Sequence, residues 1–231
     1  MLPRFRRGAF ALFALIFLVT MLLGDRADVA LATTVHPAEL LLGQRWWTPL
    51  TASFRHPEGV GLFALLWTLL IQWVIGSRLE GFWGTGRYLI MVAVAAFVGY
   101  GSTVAIAIAL PELADISLSG ASPVDLAACS AFAWVFAHER MRLGNREIAP
   151  LPVAAVLGGL ALAFPLIAGL AAGTPVARAW PCVVPGIAAA IVATLFVHPW
   201  RKRENSGKVV RTKQSDHPHL RVVQTPEDML N

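Results

Sequence analysis

Six long apolar runs alternate with shorter polar segments along this chain. The runs cover residues 8–23, 60–76, 88–110, 122–137, 153–172 and 180–197. A helix needs about 20 mainly apolar residues to cross a hydrocarbon core roughly 30 Å thick, and the runs approach that length. The pattern therefore predicts an all-α membrane protein built as a bundle of six transmembrane helices.

The composition of the chain favours a lipid environment over an aqueous one. Hydrophobic residues make up 56% of the 231 residues and charged residues only 14%, whereas about a quarter of a soluble domain is charged. A water-soluble protein of this composition would expose large apolar patches that promote aggregation. We therefore expect the lipid bilayer to be the first partner of this protein.

The first apolar run has two possible interpretations. Three arginines precede it and a string of small residues follows at positions 30–32, an arrangement that also occurs in cleaved signal peptides. However, Asp25, Arg26 and Asp28 lie between the apolar run and that string. We therefore favour a first helix that is retained in the mature protein.

The lysine and arginine residues are distributed unevenly over the polar segments. Fifteen of the 19 lie before the first run, between the second and third runs, between the fourth and fifth runs, or after the sixth. Cytoplasmic segments of membrane proteins carry such an excess. We expect a multi-pass integral protein of the cell (plasma) membrane with both termini in the cytoplasm. Because this bias accounts for the net charge of +5, the charge predicts no nucleic-acid partner.

The character of the chain changes after the sixth run. From residue 200 onwards it is polar and rich in lysine and arginine, with almost no core-forming residues. Segments of this composition are disordered, and basic segments beside a membrane are attracted to anionic headgroups. We predict a transmembrane domain at residues 1–199 and a basic, disordered cytoplasmic tail at residues 200–231, either solvated or bound to lipid.

The two cysteines give no indication of a metal site. Cys129 and Cys182 both lie inside apolar runs, and their spacing is not that of metal ligands. Buried cysteines of this kind behave as small hydrophobic residues. We therefore predict packing roles for both, with no metal and no cofactor.

Three motifs follow one another in the first two thirds of the chain. The first is WWTPLTASFRH at residues 46–56, which contains a Leu-Thr-x-x-Phe-x-His pattern; the second is GSRLEGFWGTGRY at residues 76–88; the third is SGASP at residues 119–123. In this order and spacing they resemble motifs of the rhomboid family of intramembrane serine proteases. The resemblance covers roughly residues 41–142, and it implies a rhomboid-like bundle of six transmembrane helices.

The resemblance also implies where catalytic residues would lie. Members of the family cleave transmembrane substrates with a serine at the start of the fourth helix and a histidine in the sixth, and Ser122 occupies the serine position. A serine hydroxyl is a weak nucleophile until a base, usually histidine, removes its proton. Here Pro123 replaces the glycine that follows the family serine, and no histidine occurs between residues 139 and 197. His198 lies at the far end of the sixth run, so no histidine base is identified.

The oxyanion-binding residues of the family are also missing from the second helix. Their positions, normally a histidine and an asparagine, fall near Gly61 and Leu65 or, in a second register, near Ala64 and Thr68. Neither register supplies groups of the kind that stabilise a developing oxyanion in the family.

Two further polar residues near Ser122 are possible accessory groups. Asp125 lies about one turn inside the predicted fourth helix, where an ionisable group is costly and often functional. In the alternative interpretation, Ser122 caps that helix and Asp125 faces loop water at its positive end. His56 lies on the same side of the membrane, and it either pairs with Ser122 or Asp125 or forms hydrogen bonds within its own loop.

These observations lead to competing functional hypotheses. The favoured one is a non-catalytic pseudoprotease that binds transmembrane segments or membrane proteins. The alternative is an active rhomboid-type intramembrane serine endopeptidase that uses Ser122 with a non-standard base, so the sequence leaves enzymatic activity open. A transporter or channel subunit is less well supported, because the apolar runs carry few ionisable groups to line a path.

Overall fold

A computed structural model describes residues 4–57, 61–143, 146–171, 173, 175 and 179–207. In chain order, the helices are α1 (Arg7–Leu22), α2 (Ala27–Ala32), α3 (Pro37–Leu41), α4 (Thr48–Thr51), α5 (Gly61–Ile71), α6 (Ser77–Trp83), α7 (Thr85–Ala109), α8 (Ser122–Val135), α9 (Pro150–Ala171) and α10 (Val184–Gly207). A short antiparallel hairpin of β1 (Met141–Leu143) and β2 (Arg146–Ile148) connects α8 to α9.

Four helical segments are long and apolar enough to cross a membrane. They are Gly61–Trp83, Thr85–Ala109, Pro150–Ile167 and Trp180–His198, and two shorter apolar helices, α1 and α8, accompany them. This architecture confirms a mainly helical membrane protein. That α1 and α8 also span the bilayer, giving six spans in all, stays a prediction.

The second membrane segment is longer than its apolar run. A π-helical turn at Gln72–Gly76 joins α5 to α6 without a break, and the chain turns only at Gly84, which has a φ of 81°. The sequence predicted a polar connection from residue 77, and this was wrong. The polar side chains of Ser77 and Glu80 are buried in the helix because the start of α1 supplies their hydrogen-bond partners.

Glu80 caps the N-terminus of α1. Its Oε1 accepts hydrogen bonds from the Gly8 amide at 3.0 Å and the Thr85 hydroxyl at 2.6 Å, and its Oε2 accepts from the Ala9 amide at 2.8 Å. The first amides of a helix have no partner within it, and a negative charge there is stabilised by the helix dipole. The contact fixes α1 against α6 as part of the bundle.

Helix α8 lies at the centre of the bundle and is buried along most of its length. It packs against α5, α7, α9 and α10. Small residues make these approaches possible: a Cβ on Gly99 of α7 would lie 2.6 Å from the Pro185 carbonyl oxygen, and one on Gly186 would lie 2.3 Å from Cδ1 of Leu126. Close contact between helix backbones is a common means of association in membranes.

The long connection between α1 and α5 is folded against the start of α8. Val35 and Leu118 exchange backbone hydrogen bonds of 2.8 and 3.0 Å, and the Gly120 amide donates to the Ala52 carbonyl at 2.9 Å. This connection therefore holds the segment that precedes Ser122.

The last helix continues beyond the predicted end of the transmembrane domain. Helix α10 ends at Gly207, eight residues after residue 199. Residues 208–231, which make up most of the predicted disordered tail, lie outside the described residues. The division of the chain at residue 199 stays a prediction.

Two glycines of α7 provide a matched test of this packing. We expect Gly99→Ala to lower the melting temperature of the detergent-solubilised protein, because its methyl group would meet the backbone of α10 and overpacking costs about 1–3 kcal/mol. Gly101→Ala is the control, since nothing lies within 4 Å of its added Cβ. Equal melting temperatures for the two variants would contradict the close approach of α7 and α10.

Candidate functional site

Ser122 is the first residue of α8, and its hydroxyl is not used to cap that helix. The N-cap residue is Ala121, without a side-chain capping bond, so the expected capping role of Ser122 is not found. Gly120, with a φ of 130°, turns the chain into the helix, and its carbonyl accepts a 2.7 Å hydrogen bond from the Tyr100 hydroxyl. Among the described residues, none forms a hydrogen bond with Oγ of Ser122.

Asp125 is buried one turn further along α8. It is only 3% exposed, so the alternative in which it faces loop water is wrong. Its Oδ2 accepts a 2.7 Å hydrogen bond from the Thr68 hydroxyl, and its Oδ1 accepts a 3.1 Å hydrogen bond from the Gln72 amide. Both carboxyl oxygens are therefore satisfied by the segment that contains α5.

His56 joins this network from the loop. Its Nε2 lies 3.3 Å from Oγ1 of Thr68, and its backbone amide donates to Oγ1 of Thr20 at 3.2 Å. The Thr68 hydroxyl has a single hydrogen, which it donates to Asp125, so the ring donates to Thr68 through Nε2–H. The three side chains form a directional chain of hydrogen bonds from the loop histidine to the buried carboxyl group of Asp125.

The network continues towards the other end of the bundle. The Tyr88 hydroxyl donates to Oε1 of Gln72, and the Ser77 hydroxyl donates to the Gln72 backbone carbonyl at 3.3 Å. Gln72 begins the π-helical turn, a feature that is frequent at functional sites. The wider turn places Gln72 between Asp125 and Tyr88.

One small cavity brings the three predicted residues together. Its volume is about 20 Å³, close to what a single water molecule requires. Ser122, His56 and Asp125 contribute to its wall, as do Trp67 of α5 and Phe164 of α9. The rings of Trp67 and Phe164 meet edge to face with centroids 5.9 Å apart, and Nε1 of Trp67 donates to the Leu157 carbonyl at 2.9 Å.

No residue of the last membrane segment, Trp180–His198, lines this cavity. Cys182, near the start of that segment, packs beside a buried cluster that contains Val35 and Tyr100. His198 is exposed near the opposite end of the last membrane segment. His56 is the one histidine among the described residues that reaches the cavity of Ser122.

Sequence reasoning did not assign roles to Thr68, Gln72 and Tyr88. A usable signal was present, because Thr68 and Gln72 are polar residues four positions apart in an otherwise apolar run and therefore share one face of a helix. Their common partner, Asp125, lies 53 residues or more along the chain, and only the fold brings it to them.

Burial sets the protonation state of His56. It lies in the loop, outside the membrane segments, and loss of solvent lowers its pKa from 6.5 to about 4. At neutral pH the ring is uncharged, in agreement with its single donated hydrogen bond to Thr68.

We expect acidification to destabilise the protein through His56. Because the folded-state pKa lies below the unfolded value, the stabilisation is complete above about pH 6.5 and is lost as the pH falls towards 4, at roughly 1.4 kcal/mol per pH unit. As the pH is lowered from about 7 to about 4.5, the melting temperature should fall more steeply for the unsubstituted protein than for His56→Gln. Parallel declines would contradict burial of the neutral ring.

Comparison with known proteins agrees with this architecture. A family model of the Rhomboid domain matches residues 43–198, well over half of the chain, and the match includes the second part of the folded loop, Ser122 and the last membrane segment. No curated protein sequence matches the chain. With its apolar helices and this domain, the chain is an integral membrane protein that belongs to the rhomboid family.

Proposed function

We propose that this protein binds transmembrane segments of client proteins without cleaving them. The observation that carries the proposal is that the hydroxyl of Ser122 has no hydrogen-bonded base among the described residues. A serine nucleophile needs a base within hydrogen-bond reach, about 2.6–3.2 Å, to accept its proton. A rhomboid-family site without that base retains its shape and loses the step that begins peptide-bond cleavage.

His56 is poorly suited to replace the missing histidine. Its Nε2–H is donated to Thr68, and burial lowers the pKa of the ring to about 4. A general base is most effective when its pKa lies near the working pH, and a much lower pKa weakens the drive to take a proton from serine. His56 therefore holds the loop and the Asp125 network in place.

The proposed client lies beside α5 and α9, whose side chains enclose the cavity. Phe63 and Leu66 of α5 are 70% and 54% exposed, and Val156 of α9 is 61% exposed. In a bilayer these apolar side chains contact either lipid or another helix. Separation of α5 from α9 would admit a client side chain next to Ser122 and Asp125.

The finer topology belongs to the same proposal. We propose that the shorter apolar helices α1 and α8 cross the membrane as well as the four long segments, which gives six crossings. With six crossings both termini lie on one side, and the distribution of lysine and arginine favours the cytoplasmic side of the cell membrane.

A second candidate function is proteolysis by a divergent site. It is favoured by one observation, that Ser122, His56 and Asp125 share a single cavity. For this reaction His56 would have to leave Thr68 and turn a ring nitrogen that carries no proton towards Ser122. The two functions differ in whether Ser122 reacts with electrophiles.

A fluorophosphonate activity probe distinguishes the two functions. We expect the purified protein and Ser122→Ala to show the same background labelling, because an unactivated serine does not attack the phosphorus centre. An active rhomboid protease in the same detergent is the positive control. Labelling of the unsubstituted protein that disappears in Ser122→Ala would establish an activated serine and favour proteolysis.

Site-specific photo-crosslinking tests client binding. With p-benzoylphenylalanine in place of Phe63, we expect ultraviolet light to produce discrete adducts with particular membrane proteins in cells. The same substitution at Phe97 of α7, which is 47% exposed, is the matched control and should give only diffuse adducts. Identical adduct patterns at the two positions would mean random encounters in the membrane and would contradict a client site at α5 and α9.

A further inference from the structure

A second cleft lies at the opposite end of the bundle from Ser122, where α1 begins and α6 and α8 end. Its volume is about 400 Å³. The polar side chains that line it are those of Arg4, Arg6, Ser77, Arg78 and Glu139. Three of these five side chains carry guanidinium groups, so the cleft attracts anions.

Arg6 is held in place by two contacts with α6. Its backbone amide donates a 3.2 Å hydrogen bond to Oγ of Ser77. Its guanidinium group lies directly over Gly81, where an added Cβ would be 3.0 Å from Nε and 3.1 Å from Nη2. The absence of a side chain at Gly81 therefore makes room for the guanidinium group against the helix backbone.

The acidic groups nearby do not satisfy these arginines. Glu80 attracts Arg6 electrostatically, but its two oxygens already accept three hydrogen bonds, from the starts of α1 and α7. Glu139 is exposed on the edge of the cleft. Within the part of the chain that the structure describes, Arg4, Arg6 and Arg78 form no ion pair, and the pairs Arg26–Asp28 and Arg45–Glu39 are remote from this cleft. The guanidinium groups are thus available to an external anion.

Aromatic rings adjoin the charged groups. Phe82 and Phe136 both line the cleft, and their rings meet edge to face with centroids 5.8 Å apart. Phe82 is 43% exposed. The cleft therefore combines cationic groups with an exposed aromatic ring.

We propose that this cleft binds the phosphate headgroup of an anionic phospholipid. Guanidinium groups bind phosphate through paired, charge-assisted hydrogen bonds, which favour arginine over lysine. The exposed Phe82 ring beside them matches the glycerol and upper acyl chains of a lipid, and a soluble phosphate would leave it uncovered. The headgroup would bridge the start of α1 and helix α6.

Native mass spectrometry of the full chain in detergent tests the proposal, with phosphatidylglycerol and phosphatidylcholine as the probes. The unsubstituted protein should retain phosphatidylglycerol in preference to phosphatidylcholine. Arg4→Gln/Arg78→Gln should lower the affinity for phosphatidylglycerol on the order of thirtyfold, because each basic residue near a membrane surface contributes about 1 kcal/mol to binding anionic lipid and about 1.4 kcal/mol corresponds to a factor of ten. The variant Arg4→Lys/Arg78→Lys keeps the charges, and its affinity for phosphatidylglycerol should lie between those of the unsubstituted protein and Arg4→Gln/Arg78→Gln.

The matched control is Arg26→Gln/Arg45→Gln, which removes the same number of arginine charges from the loop between α1 and α5, remote from this cleft. It should leave the preference for phosphatidylglycerol unchanged. Equal losses of phosphatidylglycerol affinity in the control and in Arg4→Gln/Arg78→Gln would mean diffuse electrostatic attraction and would overturn the site. Equal retention of phosphatidylglycerol and phosphatidylcholine by the unsubstituted protein would also overturn it. Displacement of the lipid by equimolar glycerol 3-phosphate would identify a soluble phosphate as the ligand and would overturn the lipid assignment. If Arg4→Gln/Arg78→Gln fails to fold, the comparison of Arg4→Lys/Arg78→Lys with the unsubstituted protein still tests the site.

Discussion

The carboxyl group of Asp125 constrains the membrane-embedded structure more than any other side chain. A polar group that is buried away from water costs several kcal/mol unless it is hydrogen-bonded, and lipid offers no alternative partner. Thr68 and Gln72 meet this requirement from one face of the second membrane segment, and His56 extends the network into the loop. The central helix, its neighbour and the loop are therefore held in one relative position, because a shift of any of them would leave a buried oxygen without a donor.

Glu80 performs the corresponding task at the other end of the bundle. It satisfies the first amides of α1 and the hydroxyl of Thr85, so one carboxyl group joins three helices. In both places the acid is committed to holding helices together, and neither carboxyl group is available as the base that Ser122 lacks. In a chain of the rhomboid family, acidic groups that serve cohesion are consistent with the proposed binding of helices.

The helical membrane architecture was predictable from the apolar runs, because lipid imposes length and composition on any segment that crosses it. The error at Ser77 and Glu80 has a physical cause: a polar residue looks like a loop residue until its partner from a distant segment is known. The same applies to Tyr88, whose hydrogen bond to Gln72 joins two adjacent membrane segments. The motif around Ser122 pointed to the part of the chain that lines the cavity. From the sequence, the lack of a base could be inferred only from the missing histidine.

The π-helical turn at Gln72–Gly76 divides the second membrane segment into two halves. The directions in which side chains point are rotated in one half relative to the other. Each residue of an α-helix advances the direction of its side chain by about 100°, so one extra residue in a turn rotates everything beyond it. Thr68 and Gln72 face Asp125 in one half, while Ser77 and Glu80 face α1 in the other. Loss of a single residue from this turn would restore a regular helix and turn one of the two polar sets towards lipid. The segment therefore tolerates substitution more readily than any change in its length.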